Sequence, residues 1–196
     1  MIESISNMLL QYLIEAGVVD DNAEDKAYYK YGLEISISSF FNIILIILIG
    51  VIFNKLGESI VFLVCFIPLR QFTGGYHANS YFKCNLLFSI LFIILLLIYS
   101  FTVTYLTFYG SALIVVFSIT VFLSECPIEH PNKLLSVRQK MINKYLSVIL
   151  GLLYGIVGVI FKVLLYNIGV IILYTLLLIS FLVIVATFQN IGKEGN

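Results

Sequence analysis

The chain reads as long apolar runs separated by short polar connections. Residues 35 to 53, 86 to 108, 110 to 124, 145 to 161 and 168 to 188 are almost wholly aliphatic and aromatic. Each comes near the length of helix that crosses a hydrocarbon core, about 20 residues. A further run, 58 to 69, is shorter and meets Pro68 and Arg70 at its end. It reads either as a short tilted span or as a re-entrant element. A very tight turn at Tyr109-Gly110 is expected between two of the spans. Ahead of the first span, Ile2, Ile5, Leu9, Leu13 and Leu10, Ile14 recur at helical spacing, while Glu3, Gln11 and Glu15 interrupt any spanning run. That pattern predicts an amphipathic helix within residues 1 to 20, lying in the membrane interface or packed on the bundle. Tyr28, Tyr29 and Tyr31 follow it, aromatics of the type that anchor at headgroup depth. The expected architecture is an all-α integral membrane protein: about six transmembrane or re-entrant helices and an N-terminal amphipathic helix, in a single polytopic domain over 1–196.

Composition strengthens this picture and narrows the partners. Hydrophobic residues make up 61% of the 196, against about half in soluble domains, so the lipid bilayer is the main solvent. Eleven basic and eleven acidic side chains cancel, and nothing in their balance suggests nucleic acid. Their distribution says more. Asp20, Asp21, Glu24 and Asp25 crowd one linker, and Lys133, Arg138, Lys140 and Lys144 occupy the connection 125 to 144. If 58 to 69 spans, nine of the eleven basic residues share one side; if it is re-entrant, eight do. By the positive-inside rule both arrangements put residues 70 to 84 and 125 to 144 on the cytoplasmic side of a cell membrane. They differ over the N-terminus. Cys65, Cys84 and Cys126 are widely spaced with no CxxC, which argues against a disulfide framework and a zinc site.

The chemistry gathers in "LRQFTGGYHANSYFKC", residues 69 to 84. Gly74 and Gly75 allow unusual backbone angles and close approach of another chain segment. His77 and Cys84 are seven residues apart, a rise of about 10.5 Å on a straight helix. A base must come within about 3 Å of a thiol to make thiolate, so the chain bends between them or one of the pair comes from a second copy in a homodimer. A neighbouring imidazolium lowers a cysteine's pKa by several units, and Arg70 and Lys83 add positive potential. A thiolate formed there can attack a peptide carbonyl while His77 protonates the leaving amine. The glycine amides and Arg70 are oxyanion or supporting candidates. Glu34, at the mouth of the first span, is a candidate partner for His77 or Arg70. Spacing alone also permits blander readings, with Cys65 as a packing residue, Cys126 as a loop thiol or rival nucleophile, and the cations as topology determinants. A peptide exporter or permease without a covalent step, or a structural membrane subunit, would also suit this pattern.

Arg70, Gly74, Gly75, Tyr76, His77, Ala78 and Cys84, in the order R-x-x-x-GG-Y-H-A-x(6)-C, resemble the accessory gene regulator B (AgrB-like) family of quorum-sensing peptide-processing endopeptidases. "KYGLEI" before the first span and "CPIEHPNKLLSVRQK" after the fourth extend the resemblance over nearly the whole chain. It implies a multi-pass membrane cysteine peptidase of a Gram-positive bacterium, with His77 and Cys84 catalytic and the site near the cytoplasmic face. The implied substrate is an AgrD-like propeptide whose C-terminal tail is removed through a thioester acyl-enzyme. A cysteine or serine of the propeptide then resolves that intermediate, closing a thiolactone or lactone ring. No metal or organic cofactor is implied. Lys133, Arg138, Lys140 and Lys144 then become candidates for binding the propeptide's acidic tail.

Overall fold

A computed structural model describes residues 2–19, 22–74, 81–129, 135–164 and 166–194. Among them are seven helices and no strand: α1 (Ile2–Glu15), α2 (Ala23–Ile52), α3 (Leu56–Thr73), α4 (Tyr81–Thr102), α5 (Phe108–Glu125), α6 (Val137–Val163) and α7 (Ile168–Glu194). All but α1 are long and apolar enough to cross a membrane. Backbone polar groups cannot be left unpaired in hydrocarbon, which is why the spans are helical throughout. Hydroxyls inside them bond back along their own helix, as Thr175 Oγ1 does to the Ile171 carbonyl at 2.7 Å and Ser180 Oγ to the Leu176 carbonyl at 2.9 Å.

α7 is the most buried span and packs on α3, α5 and α6. Gly151, Gly155 and Gly158 form a small-residue stripe on α6, against Phe122 and Val115 of α5 and Leu173 of α7. Any side chain there would push the three helices apart. On the other flank Phe62 and Phe66 of α3 meet Phe88 and Phe92 of α4, with ring centroids 4.6 to 5.7 Å apart.

Two boundaries differ from the sequence expectation. The run taken as 58 to 69 is an 18-residue helix that continues through Pro68 and Arg70 to Thr73. Proline lacks the N–H that would bond the carbonyl four residues back, here Val64, and Tyr154 Oη of α6 donates to that oxygen at 3.4 Å. A neighbouring helix therefore repairs the gap that made the segment look short. The turn expected at Tyr109-Gly110 lies instead at 103 to 107, because Thr107 caps α5 by accepting from the Gly110 N–H at 3.2 Å.

Six spans in alternation gather the N-terminal helix, the α3–α4 and α5–α6 connections and the end of α7 at one end of the bundle. Contacts tie that end together. Ser6 Oγ donates to Glu34 at 3.3 Å, the Ile128 N–H donates to the Thr73 carbonyl at 2.9 Å, and Thr187 Oγ1 donates to Glu125 at 3.0 Å. At the opposite end Lys55 pairs with Glu58 at 3.2 Å, and Lys162 Nζ donates to the Val103 carbonyl at 2.7 Å.

Candidate active site

Helical periodicity places the central thiol. Phe62, Phe66 and Arg70 lie on one face of α3 at four-residue intervals, and so do Cys84, Phe88 and Phe92 on α4. Such residues stack on one helix surface. The aromatic seam that joins the two helices therefore continues, one turn beyond Phe66 and Phe88, into Arg70 and Cys84. Both line a cavity of about 580 Å³ together with Gly74, Pro127, Ile128 and Asn143.

Arg70 sits in the last turn of α3, where a cation complements the helix dipole. Its guanidinium donates to the Gly74 carbonyl and lies within electrostatic reach of both Cys84 and Cys126. Gly74 ends the helix with φ +66°, and its N–H donates to the Arg70 carbonyl at 3.2 Å. A role for the Gly74 amide as an oxyanion donor would require that bond to be given up. Arg70 also faces the cavity, with one of its five N–H donors on the Gly74 carbonyl. Gly74 also pairs as a lone parallel bridge with Ile128, and a Cβ on it would stand 2.2 Å from the Ile128 oxygen. That contact draws the connection after α5 over the end of α3. Sequence reasoning missed it, since pairing between residues more than fifty positions apart leaves no local pattern. Asn143 and, on α2, Asn42 also line the cavity, and no local pattern singles them out.

The three cysteines separate clearly. Cys84 is part-exposed and faces the cavity, whereas Cys65 is buried in the α3 core. Cys126 is buried beside the Ser147 hydroxyl, and burial pushes its thiol up to about 12. It is held in the neutral form at physiological pH, which argues against it as a rival nucleophile.

Gly75, His77 and Lys133 lie outside the described residues. Glu34 is bonded by Ser6 of α1 and is not among the residues lining the cavity. The basic segment divides. Arg138, Lys140 and Lys144 stand on the first turns of α6, not in a loop, behind a capping box formed by Ser136 and Gln139. Lys140 is paired with Glu129 at 2.6 Å, and Arg138 makes no ion pair among the described residues. Lys140, with the Leu135 N–H, holds the Glu129 carboxyl below its usual range.

These features define a multi-pass α-helical membrane protein with one thiol and one arginine facing a cavity at the end of its bundle. The accessory gene regulator B family profile matches residues 6–187, and the chain belongs to that family. It is 31% identical over 83 residues to protein FsrB of Enterococcus faecalis (strain ATCC 47077 / OG1RF), a match covering 40% of this chain and 34% of that one. It is 33% identical over 87 residues to AgrB-like protein 2 of Clostridium perfringens (strain 13 / Type A), covering 44% of this chain and 40% of that one. The chain thus matches well under half the length of these relatives. No solved structure matches it.

Proposed function

We propose that the protein is a membrane-embedded cysteine endopeptidase that cleaves and cyclises an AgrD-like propeptide for quorum sensing. The observation that carries the proposal is the Cys84 thiol facing the cavity with Arg70 beside it, in a chain of this family. Cys84 Sγ attacks the carbonyl carbon at the ring–tail junction, the C–N bond breaks, and His77 delivers the proton to the departing amine. The acyl group is then a thioester on Cys84. A cysteine or serine of the propeptide attacks that carbonyl and closes a thiolactone or lactone ring, and the proton it gives up restores the Cys84 thiol. No water is consumed, and a cavity lined largely by apolar side chains limits hydrolysis of the thioester until the internal nucleophile arrives. Arg70 is suited to stabilise the oxyanion of both tetrahedral intermediates.

Location and membrane contacts belong to the same reading. The basic residues concentrate at the cavity end, which supports its lying on the cytoplasmic side. Helix α1 packs on the start of α2 and leaves Met8, Leu9 and Tyr12 exposed, a face suited to the headgroup boundary. The acidic tail of the propeptide is guided by the cations at the start of α6.

The test is cleavage of a synthetic propeptide in proteoliposomes: an amphipathic leader, a ring segment with one internal cysteine, and an acidic tail. Cys84→Ala should abolish cleavage, while Cys65→Ala and Cys126→Ala retain it. Normal cleavage by Cys84→Ala would overturn the proposal, and continued translocation of uncleaved peptide by that variant would point to an exporter.

A further inference from the structure

A polar cluster joins α2 and α4 beside the cavity. Asn85 is buried on α4, one residue beyond Cys84. Its Oδ1 accepts from Ser38 Oγ at 2.8 Å and from Asn42 Nδ2 at 3.0 Å, both on α2. Asn42 itself lines the cavity. With its amino group committed to Asn85, its Oδ1 is buried and accepts no hydrogen bond among the described residues. Ser118 Oγ is also unpartnered, but it lies outside the cavity, and a hydroxyl can rotate to seek its own helix backbone. The Asn42 amide has no such freedom while Asn85 holds it. An unpaired acceptor is unfavourable in a low-dielectric interior; this one belongs to a residue of the cavity wall, and a slight shift of that wall on binding would let it meet a donor that arrives with the occupant.

We propose that Asn42 is a substrate-positioning residue whose side-chain carbonyl accepts a main-chain N–H of the peptide segment seated in the cavity. This rests on the peptidase reading and extends it. An extended peptide entering a largely apolar cavity brings N–H groups that lose water and need acceptors. A neutral amide oxygen suits such a donor, because it recognises backbone whatever the neighbouring side chain is. Asn85 gives the contact its chemical meaning. It is fixed to Asn42 by a hydrogen bond and to Cys84 by the α4 backbone, so the anchor point and the nucleophile keep a set separation. A peptide held there presents one particular carbonyl to Cys84.

The experiment is an ester scan of the same synthetic propeptide in proteoliposomes. At each position flanking the scissile bond, but not at that bond, the main-chain N–H is replaced by oxygen. One position should lower kcat/KM of the parent enzyme about tenfold, the effect of losing one hydrogen bond and leaving its partner unpaired. Asn42→Ala and Asn42→Ser should lower kcat/KM on the all-amide peptide to a similar extent. In those variants the sensitive ester should carry no additional penalty, while other esters behave as they do in the parent. Penalties that simply multiply at every position would overturn the proposal, as would a parent indifferent to every ester. The parent scan needs no variant, so misfolding of Asn42→Ala or Asn42→Ser leaves it decisive. If the parent does not cleave the all-amide peptide at all, the peptidase reading fails and this inference falls with it.

Discussion

Cys84 and Gly74 do different work in the site, and each can be tested by chemistry at a thiol. If His77 generates the Cys84 thiolate, a small membrane-permeant alkylating reagent should modify Cys84 faster near pH 7 in the parent than in His77→Ala. The difference should close above about pH 9, where an unassisted thiol ionises in any case. Equal rates across that range would remove His77 from the activation step. Cys126 should stay slow through the same range, since burial holds its thiol at about 12. Gly74 supplies the second test. Its φ of +66° with ψ −152° is a conformation for which other residues incur strain of about 1–3 kcal/mol. A methyl group there would also run into the Ile128 carbonyl. Gly74→Ala should therefore lower the thermal midpoint in detergent and open the cover over Cys126, seen as faster alkylation of Cys126. Unchanged Cys126 reactivity would mean that the Gly74–Ile128 contact does not seal this end of the bundle.

Helix α6 begins with Arg138 and Lys140 where its dipole is already positive, an arrangement that weakens the helix and favours anions. The Ser136–Gln139 capping box offsets part of that by satisfying the first backbone groups. Lys140 has a structural partner in Glu129, whereas Arg138 has no ion pair among the described residues and is the better candidate for the proposed acidic tail. Arg138→Gln should raise KM for an acidic-tailed propeptide by up to about fivefold, the limit for one exposed pair, with kcat unchanged and the effect fading in salt. Lys140→Gln should do less, because Glu129 already pairs with it. The Glu129 carboxyl is held below its ordinary value, so this pairing persists at neutral pH and is lost only as acid carries the carboxyl through its depressed value. A larger effect from Lys140 than from Arg138 would contradict the steering account. The helices were largely readable in advance, since each span is a sustained apolar run and the N-terminal helix shows its period. Boundaries were less so. Thr107 with Gly110 three residues on was the available signal for the start of α5, but Tyr105, Phe108 and Tyr109 hid it inside an apolar run. The end of α3 was obscured by Pro68, whose repair by Tyr154 depends on a helix ninety residues away. The Phe62–Phe66–Arg70 and Cys84–Phe88–Phe92 ridges were written in the sequence, yet nothing local said that they face each other. The cluster of Ser38, Asn42 and Asn85 needed α2 and α4 in place before it could be seen at all.

If α3 crosses the membrane as a full span, the count of crossings is even, and α1, the cavity and the end of α7 share one side. The bias of basic residues toward that side supports the proposed cytoplasmic placement. A re-entrant α3 would keep the cavity cytoplasmic but move α1 to the outside. Single cysteines placed at exposed positions distinguish the two. Tyr105→Cys lies between α4 and α5, Tyr166→Cys between α6 and α7, Val137→Cys at the start of α6, and Tyr12→Cys on α1. In intact cells a membrane-impermeant thiol reagent should label Tyr105→Cys and Tyr166→Cys, and should reach Val137→Cys and Tyr12→Cys only after the membrane is opened. Labelling of Tyr12→Cys in intact cells, with Val137→Cys still protected, would restore the re-entrant arrangement. The contacts of Ser6 with Glu34 and of Lys30 with Glu3 could not then join α1 to the cavity end of α2. Early labelling of Val137→Cys would be more serious, because it would put Cys84, the cations of α6 and the proposed acyl transfer on the side of the membrane away from a newly made propeptide.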